Sequence, residues 1–295
     1  MNTSPKTASG SENRPCIGLA LSGGGPRGLA HIGVLRVLER EGIPVDVLAG
    51  TSMGGIIAAG YAAGLSTEDL EKEARTTARV RRLLRLIDPR LPEAGIIRGQ
   101  RIQAYFEEIL GPVTFEDLKI RLALVAVDLN AQSEVILTEG SLSLALRATI
   151  SVPGLITPVE IDGQRLVDGG VLDNLPVDAA QHLGADIVIA VDVESDPCRG
   201  AEARLNEYGM LPNGLASTLA IVDEVSQLMM RTIKENNLQR NPPHVLIRPV
   251  PPKGVNLFAG YSRIRELIQI GEHAAEEKLP QIRQLLQAHP TSSIG

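Results

Sequence analysis

Tryptophan is absent from this 295-residue chain, phenylalanine occurs three times and tyrosine four. So little aromatic surface leaves no base-stacking platform, and a formal net charge of -6 leaves no basic groove, which argues against a nucleic-acid-binding module. The two cysteines, Cys16 and Cys198, match no metal-ligand spacing and give no disulfide framework. The longest nearly unbroken apolar run, Met53 to Leu65, falls well short of the roughly 20 residues that span hydrocarbon, so no transmembrane segment is expected. The first stretch, MNTSPKTASGSENRP, has neither the apolar core of a signal peptide nor a lipid-attachment pattern. Residues 1–15 are therefore expected to form a disordered leader. These absences make the cytoplasm the expected compartment, with peripheral membrane contact left open.

What is present is hydrophobic material, 43% of the residues, in a chain long enough to bury roughly three quarters of its unfolded surface as one domain. From residue 17 short apolar runs alternate with segments of helical period, the pattern of a mostly parallel sheet covered by helices. The spacing predicts strands at Ile17–Leu21, Val45–Gly50, Leu122–Leu129 and Ile187–Val193, with shorter extended stretches at 157–161, 165–167 and 244–248. Helical patterns follow Gly28, Gly54 and Ser66, run from Pro176 towards Gly184, and close the chain at 217–235 and 261–287. Residues 195–214 read as a long surface loop. No linker or internal repeat divides the chain, so residues 16–288 are expected to be a single domain and 289–295 a flexible tail.

The feature richest in chemistry is Gly50-Thr51-Ser52-Met53-Gly54, a G-x-S-x-G set between an expected strand and an expected helix. A tight strand-to-helix turn needs glycines at both flanks so that Ser52 can project its hydroxyl, which makes Ser52 the candidate nucleophile. After the first strand comes Gly23-Gly24-Gly25-Pro26-Arg27-Gly28, whose main-chain N–H groups open a helix and can hold negative charge. A nucleotide site is the weaker reading of this loop: no Lys follows as in a P-loop, and no acidic ribose partner follows the next strand. An oxyanion hole fits better. Pro26 has no N–H, which leaves the amides of Gly24, Gly25, Arg27 and Met53 as candidate donors. The Arg27 side chain can brace the loop, meet a substrate phosphate or simply be solvated.

The base is harder to name. His182 and His273 sit in helical patterns, His289 is in the tail, and His244 precedes a strand at the end away from a site built on strand C-termini. His31, three residues past Gly28, reads as a structural residue or one supporting the loop from behind. Asp168-Gly169-Gly170 places a carboxylate on a tight turn after a short strand. Such a turn is a common surface feature, yet without a credible histidine Asp168 is the better candidate to take the Ser52 proton directly. Residues 75–90 gather Arg75, Arg79, Arg81, Arg82 and Arg85 among Leu83, Leu84 and Leu86, the one basic amphipathic stretch in an acidic chain. It can be a solvated helix face, a lid, or a patch for peripheral contact with anionic lipid.

With GGGPRG at 23–28, GTSMG at 50–54 and DGG at 168–170 in that order, the sequence resembles the patatin-like phospholipase family over roughly residues 17–270. The resemblance implies a three-layer α/β/α sandwich with a mostly parallel central sheet. It also implies a Ser52–Asp168 dyad without histidine, an oxyanion hole from the glycine loop with Arg27, motif support from Gly23, Gly28, Gly50, Gly54, Gly169 and Gly170, no cofactor and no metal. The implied substrate is a fatty-acyl ester or phospholipid. Two departures, Ala148-Thr149 before the proline segment and Asp128-Leu129-Asn130-Ala131 in a turn, bear on substrate preference. A serine peptidase or amidase on the same elbow, and a catalytically silent lipid-binding or regulatory protein, are the rival readings. Headgroup, acyl length and oligomeric state are not legible.

Overall fold

The computed structural model describes residues 14–78, 86, 88, 97–194, 213–252, 255 and 260–288. The expected leader (apart from residues 14 and 15), the tail at 289–295, the loop at 195–212 and most of the basic stretch lie outside the described residues. In chain order the elements are β1 (Ile17–Leu21), α1 (Ala30–Arg40), β2 (Val47–Thr51), α2 (Met53–Ala62), α3 (Thr67–Thr77), α4 (Gln100–Leu110), β3 (Arg121–Asp128), β4 (Ser133–Leu137), α5 (Leu142–Thr149), β5 (Val159–Ile161), β6 (Gln164–Asp168), α6 (Val177–His182), β7 (Ile187–Val191), α7 (Asn213–Arg240), β8 (Val245–Ile247) and α8 (Ile264–Ala288).

The fold is mixed α/β, a central sheet flanked by helices. Its order is β5-β6-β3-β2-β1-β7-β8, with β4 added beside β3. Strands β3, β2, β1, β7 and β8 are parallel, whereas β4, β5 and β6 pair antiparallel. β1, β2 and β7 are buried at every residue, which is why they read as continuous apolar runs rather than alternating ones. The alternation of side chains divides the core. Leu19, Leu21, Leu48 and Leu124 pack with α1, α2 and α8, while Ala20, Ala49, Ala123 and Val125 pack with α6. Each fully buried leucine contributes about 1.5–3 kcal/mol, so the first face carries most of the apolar stabilisation.

On that face α1 and α8 touch backbone to backbone. A Cβ on Gly271 would stand 1.9 Å from the Ala30 carbonyl oxygen and one on Gly33 2.0 Å from that of Ile268, so only glycine permits the crossing. Most of the expected strands and helices fall within a few residues of their observed limits. α4, α5 and β4 were not foreseen; α4 buries a single residue, Phe106, and β4 has no buried position.

Candidate active site

Ser52 occupies the turn from β2 into α2 at φ 53, ψ -120, one of three non-glycine residues with positive φ among those described. A conformation of this kind persists only where its surroundings over-determine it. Here they do. A Cβ on Gly54 would meet the Leu21 carbonyl oxygen at 2.2 Å and one on Gly50 the Gly55 backbone at 2.6 Å, so both glycines let α2 dock against the sheet immediately after the serine. Ser52 is the residue at the N-terminus of α2, whose first amides lack intrahelical partners and carry partial positive charge.

The register of β3 brings Asp168 to the same place. β4 takes one edge of β3 over residues 124–128, and the other edge is shared end to end by β2, ending with Thr51 opposite Val125, and by β6, ending with Asp168 opposite Ala126. Two strands of opposite direction thus deliver Ser52 and Asp168 to neighbouring positions from 116 residues apart in sequence. The Asp168 amide is fixed by the Ser151 carbonyl at 3.0 Å. Burial pushes the Asp168 carboxyl up to about 6, offset in part by the Gly170 amide donating at 2.8 Å and by the adjacent Ser52 hydroxyl. A carboxylate with that value is ionised at neutral pH yet basic enough to accept a proton.

The glycine loop completes the constellation. Gly23 approaches the elbow so closely that a Cβ there would lie 3.2 Å from Ser52 Cβ and 2.5 Å from Asn174 Oδ1. Gly24 and Gly25 take positive φ of 156 and 54 and lead into a short 3-10 turn, Gly25–Leu29. That turn corrects one expectation: the Arg27 amide donates to the Gly24 carbonyl at 3.3 Å and is spent inside the loop. Among the described residues no acceptor takes the amides of Gly24, Gly25 or Met53, which leaves three of the four expected donors. Gly28 lies against the elbow, where a Cβ would stand 2.4 Å from Met53 Cγ, and Gly169 packs on the Val125 carbonyl.

Ser52, Met53 and Gly25 open onto a cavity of about 500 Å³. Its walls are apolar, with Ile56, Ile57, Leu70, Ile102, Phe106 and Leu146 among them, so water gains little there and hydrocarbon gains much. Leu86, the one leucine of the basic stretch that is described, also lines it. Arg79, Arg81, Arg82, Arg85, Leu83 and Leu84 lie outside the described residues, and Arg75 pairs with Glu71.

None of the histidines that are described reaches this site. His182 is the last residue of α6, His244 Nδ1 accepts the Val188 amide at 3.1 Å, and His273 is exposed beside Glu277. His31 is buried under the glycine loop with Nε2 2.9 Å from the Ser22 carbonyl, and burial holds its pKa down at about 4, so it is neutral and structural.

Sequence reasoning missed two supporting residues. Thr149, flagged as a departure in the resemblance, lies under the elbow: its hydroxyl accepts the Ser52 amide at 3.0 Å and donates to the Val125 carbonyl at 2.6 Å. Asn174 gives its carbonyl to the Gly23 amide at 3.0 Å. The only signal for it was its place in the DGGVLDNLP segment. Thr149→Val keeps shape but strands a buried donor and acceptor, each worth about 1–3 kcal/mol. We expect a lower melting temperature by thermal denaturation, with Thr149→Ser close to the parent; equal melting for all three would remove Thr149 from the elbow's support.

A serine held in a strained elbow, a buried carboxylate at its side and an apolar cavity below define a class, the helix-flanked α/β proteins with a serine at a strand-to-helix elbow. Residues 19–181 match the family model described as patatin-like phospholipase, more than half of the chain, and the chain belongs to that family. It is 40% identical over 212 residues to an uncharacterized NTE family protein of Mycobacterium tuberculosis, covering 71% of this chain and 58% of that protein. It is 36% identical over 197 residues to patatin-like phospholipase domain-containing protein 6 of Homo sapiens, covering 65% of this chain and 14% of that one. The chain therefore spans under two thirds of the length of these relatives. Among solved structures, VipD from Legionella pneumophila resembles 95% of this chain over 68% of its own, with a TM-score of 0.50 and 13% identity, a likeness of fold alone. Family membership supports lipid-hydrolase activity in general terms.

Proposed function

We propose that this chain is a serine acyl hydrolase that cleaves fatty-acyl esters, lysophospholipids or phospholipids among them, through a Ser52–Asp168 dyad and an acyl-enzyme. The observation that carries this reading is the meeting of Ser52, the buried Asp168 and the loop amides at the head of one apolar cavity. Asp168 accepts the hydroxyl proton as Ser52 Oγ bonds to the ester carbonyl carbon. The carbonyl π pair moves onto oxygen, where the amides of Gly24, Gly25 and Met53 stabilise it. Collapse of that intermediate breaks the carbon–oxygen ester bond, and the alcohol leaves with the proton from Asp168. Water, deprotonated by the same carboxylate, adds to the acyl-enzyme; collapse breaks the bond between the acyl carbon and Ser52 Oγ, the proton passes from Asp168 back to Oγ, and the fatty acid leaves. The two faces of the sheet, each with its own helix layer, support a three-layer α/β/α arrangement. Peripheral contact through residues 75–90 belongs to the same reading, since the cavity wall includes Leu86 of that stretch.

A panel of p-nitrophenyl esters from acetyl to palmitoyl, run beside a peptide p-nitroanilide, tests the reading. We expect turnover of the esters, rising with chain length beyond butyryl as hydrocarbon enters the cavity, and none of the anilide. Burial of each added methylene is worth about 0.8 kcal/mol, so successive two-carbon steps should raise kcat/KM by about tenfold until the cavity is filled. Binding of a fatty acid without any ester turnover would sink the enzyme reading in favour of a silent lipid-binding protein.

A further inference from the structure

Among the described residues the largest fully buried side chain is a lysine. Lys234 lies on α7, remote in sequence from every motif above, and is 2% exposed. Its ammonium donates to Asp192 Oδ1 at 2.9 Å and to Glu194 Oε2 at 3.1 Å, while Arg248 Nε lies 3.4 Å from the other Asp192 oxygen. Asp192 and Glu194 follow β7, the strand beside β1. Removing an ammonium and two carboxylates from water is costly, and packed hydrocarbon of equal volume often stabilises a fold as well or better. The cluster therefore calls for a reason other than stability.

Its connections supply one. The same Glu194 Oε2 that binds Lys234 also accepts Asn174 Nδ2 at 3.0 Å. With its amide held in this way, Asn174 Oδ1 sits between the two loops of the site: a Cβ on Gly23 would lie 2.5 Å from it, and one on Gly170 3.0 Å. The Asn174 carbonyl meanwhile takes the Gly23 amide. One asparagine thus spans the start of the oxyanion loop and the turn that carries Asp168. A second anchor runs parallel, the Val193 amide donating to Ser22 Oγ at 3.0 Å just before the loop.

We propose that Lys234 and Glu194 are positioning residues that act through Asn174, locking the oxyanion loop and the Asp168 turn in one relative placement; the inference rests on the acyl-hydrolase reading of that site. Neither side chain lines the acyl cavity, so loss of the tether leaves hydrocarbon binding alone and lowers the rate of the chemical step.

Glu194, at 17% side-chain exposure, is the safer place to cut, because Lys234 keeps Asp192 as partner. In Glu194→Ala we expect kcat on a p-nitrophenyl ester to fall by about tenfold to 100-fold while KM stays within about twofold. Glu194→Gln, which keeps an oxygen for the Asn174 amide, should recover most of the rate. Lys234→Met should follow Glu194→Ala, and if it does not fold the glutamate pair carries the test. Hydrogen exchange read by mass spectrometry on the peptide covering residues 21–29 supplies a readout independent of turnover. Faster exchange in Glu194→Ala, with the kcat loss, supports the tether. Unchanged exchange, or faster exchange with wild-type kcat, overturns it. Should the wild type prove inert towards every ester while exchange still accelerates, the hydrolase reading falls and the tether stands.

Discussion

Ser52→Ala is expected to lack the single fluorophosphonate adduct that intact mass should show on the wild type, and to cut ester hydrolysis by at least about 1,000-fold. The expectation follows from the local backbone. At φ 53, ψ -120 the side chain at position 52 is thrown out of the turn at the mouth of the apolar cavity, with Asp168 beside it. Among the described residues the neighbouring hydroxyls are committed elsewhere: Thr51 is fully buried and donates to the Asp173 carbonyl at 2.9 Å, Thr149 donates to the Val125 carbonyl at 2.6 Å, and Ser22 Oγ accepts the Val193 amide. Alanine accepts the same strained backbone at no greater cost than serine, and the Ser52 amide keeps Thr149, so the melting temperature should stay within about 2 °C of the parent. The variant separates chemistry from folding. An adduct persisting in Ser52→Ala at full rate would show that the nucleophile lies elsewhere.

The parts of the site that a reader of the sequence can find are those whose geometry is local. Gly50 and Gly54 flank a serine between a strand and a helix, and the Gly23–Gly25 run leaves amides without side chains in the way; both facts are written in neighbouring residues. The central strands are legible for a related reason, since burial on both faces leaves uninterrupted Val, Ile, Leu and Ala. What escapes is whatever depends on register. That β2 and β6 share one edge of β3, and so bring residues 52 and 168 together, follows from pairings that no pattern of residues displays. The same holds for Thr149, which looks like an ordinary helix C-terminus until the end of α5 is placed under the elbow. The Arg27 amide failed as a donor because a 3-10 turn, rather than an open loop, follows Gly24. Lys234 was invisible for the same kind of reason: its partners are supplied from across the fold, by the segment after β7.

Asp168→Asn should lose activity and gain stability together, a combination that few substitutions of buried charged residues produce. On the proposed dyad the loss is that of the proton acceptor; general base catalysis contributes about 10²- to 10⁴-fold, and an amide cannot take its place. Below the folded pKa the wild-type carboxyl is protonated and equally unable to act. The pH profile of wild-type kcat/KM should therefore fall on the acid side with an apparent pKa near 6, a limb absent from the variant. Stability runs the other way. Burial raises the folded pKa from the usual carboxylate range, so the folded protein holds this proton more tightly than the unfolded chain. The stabilisation from that proton is full below about pH 4 and is lost as pH rises through about 6, after which the fold carries the cost of a buried ion. Asparagine keeps an oxygen for the Gly170 amide but never ionises, so at pH 8 the variant should be the more stable by up to about 3 kcal/mol. At pH 4 the difference should shrink towards zero. Thermal melts of both proteins across that range read the sign directly: a variant less stable than the parent at pH 8 would mean that the carboxylate is well solvated or paired in the fold, which is incompatible with its service as a base of raised pKa beside Ser52.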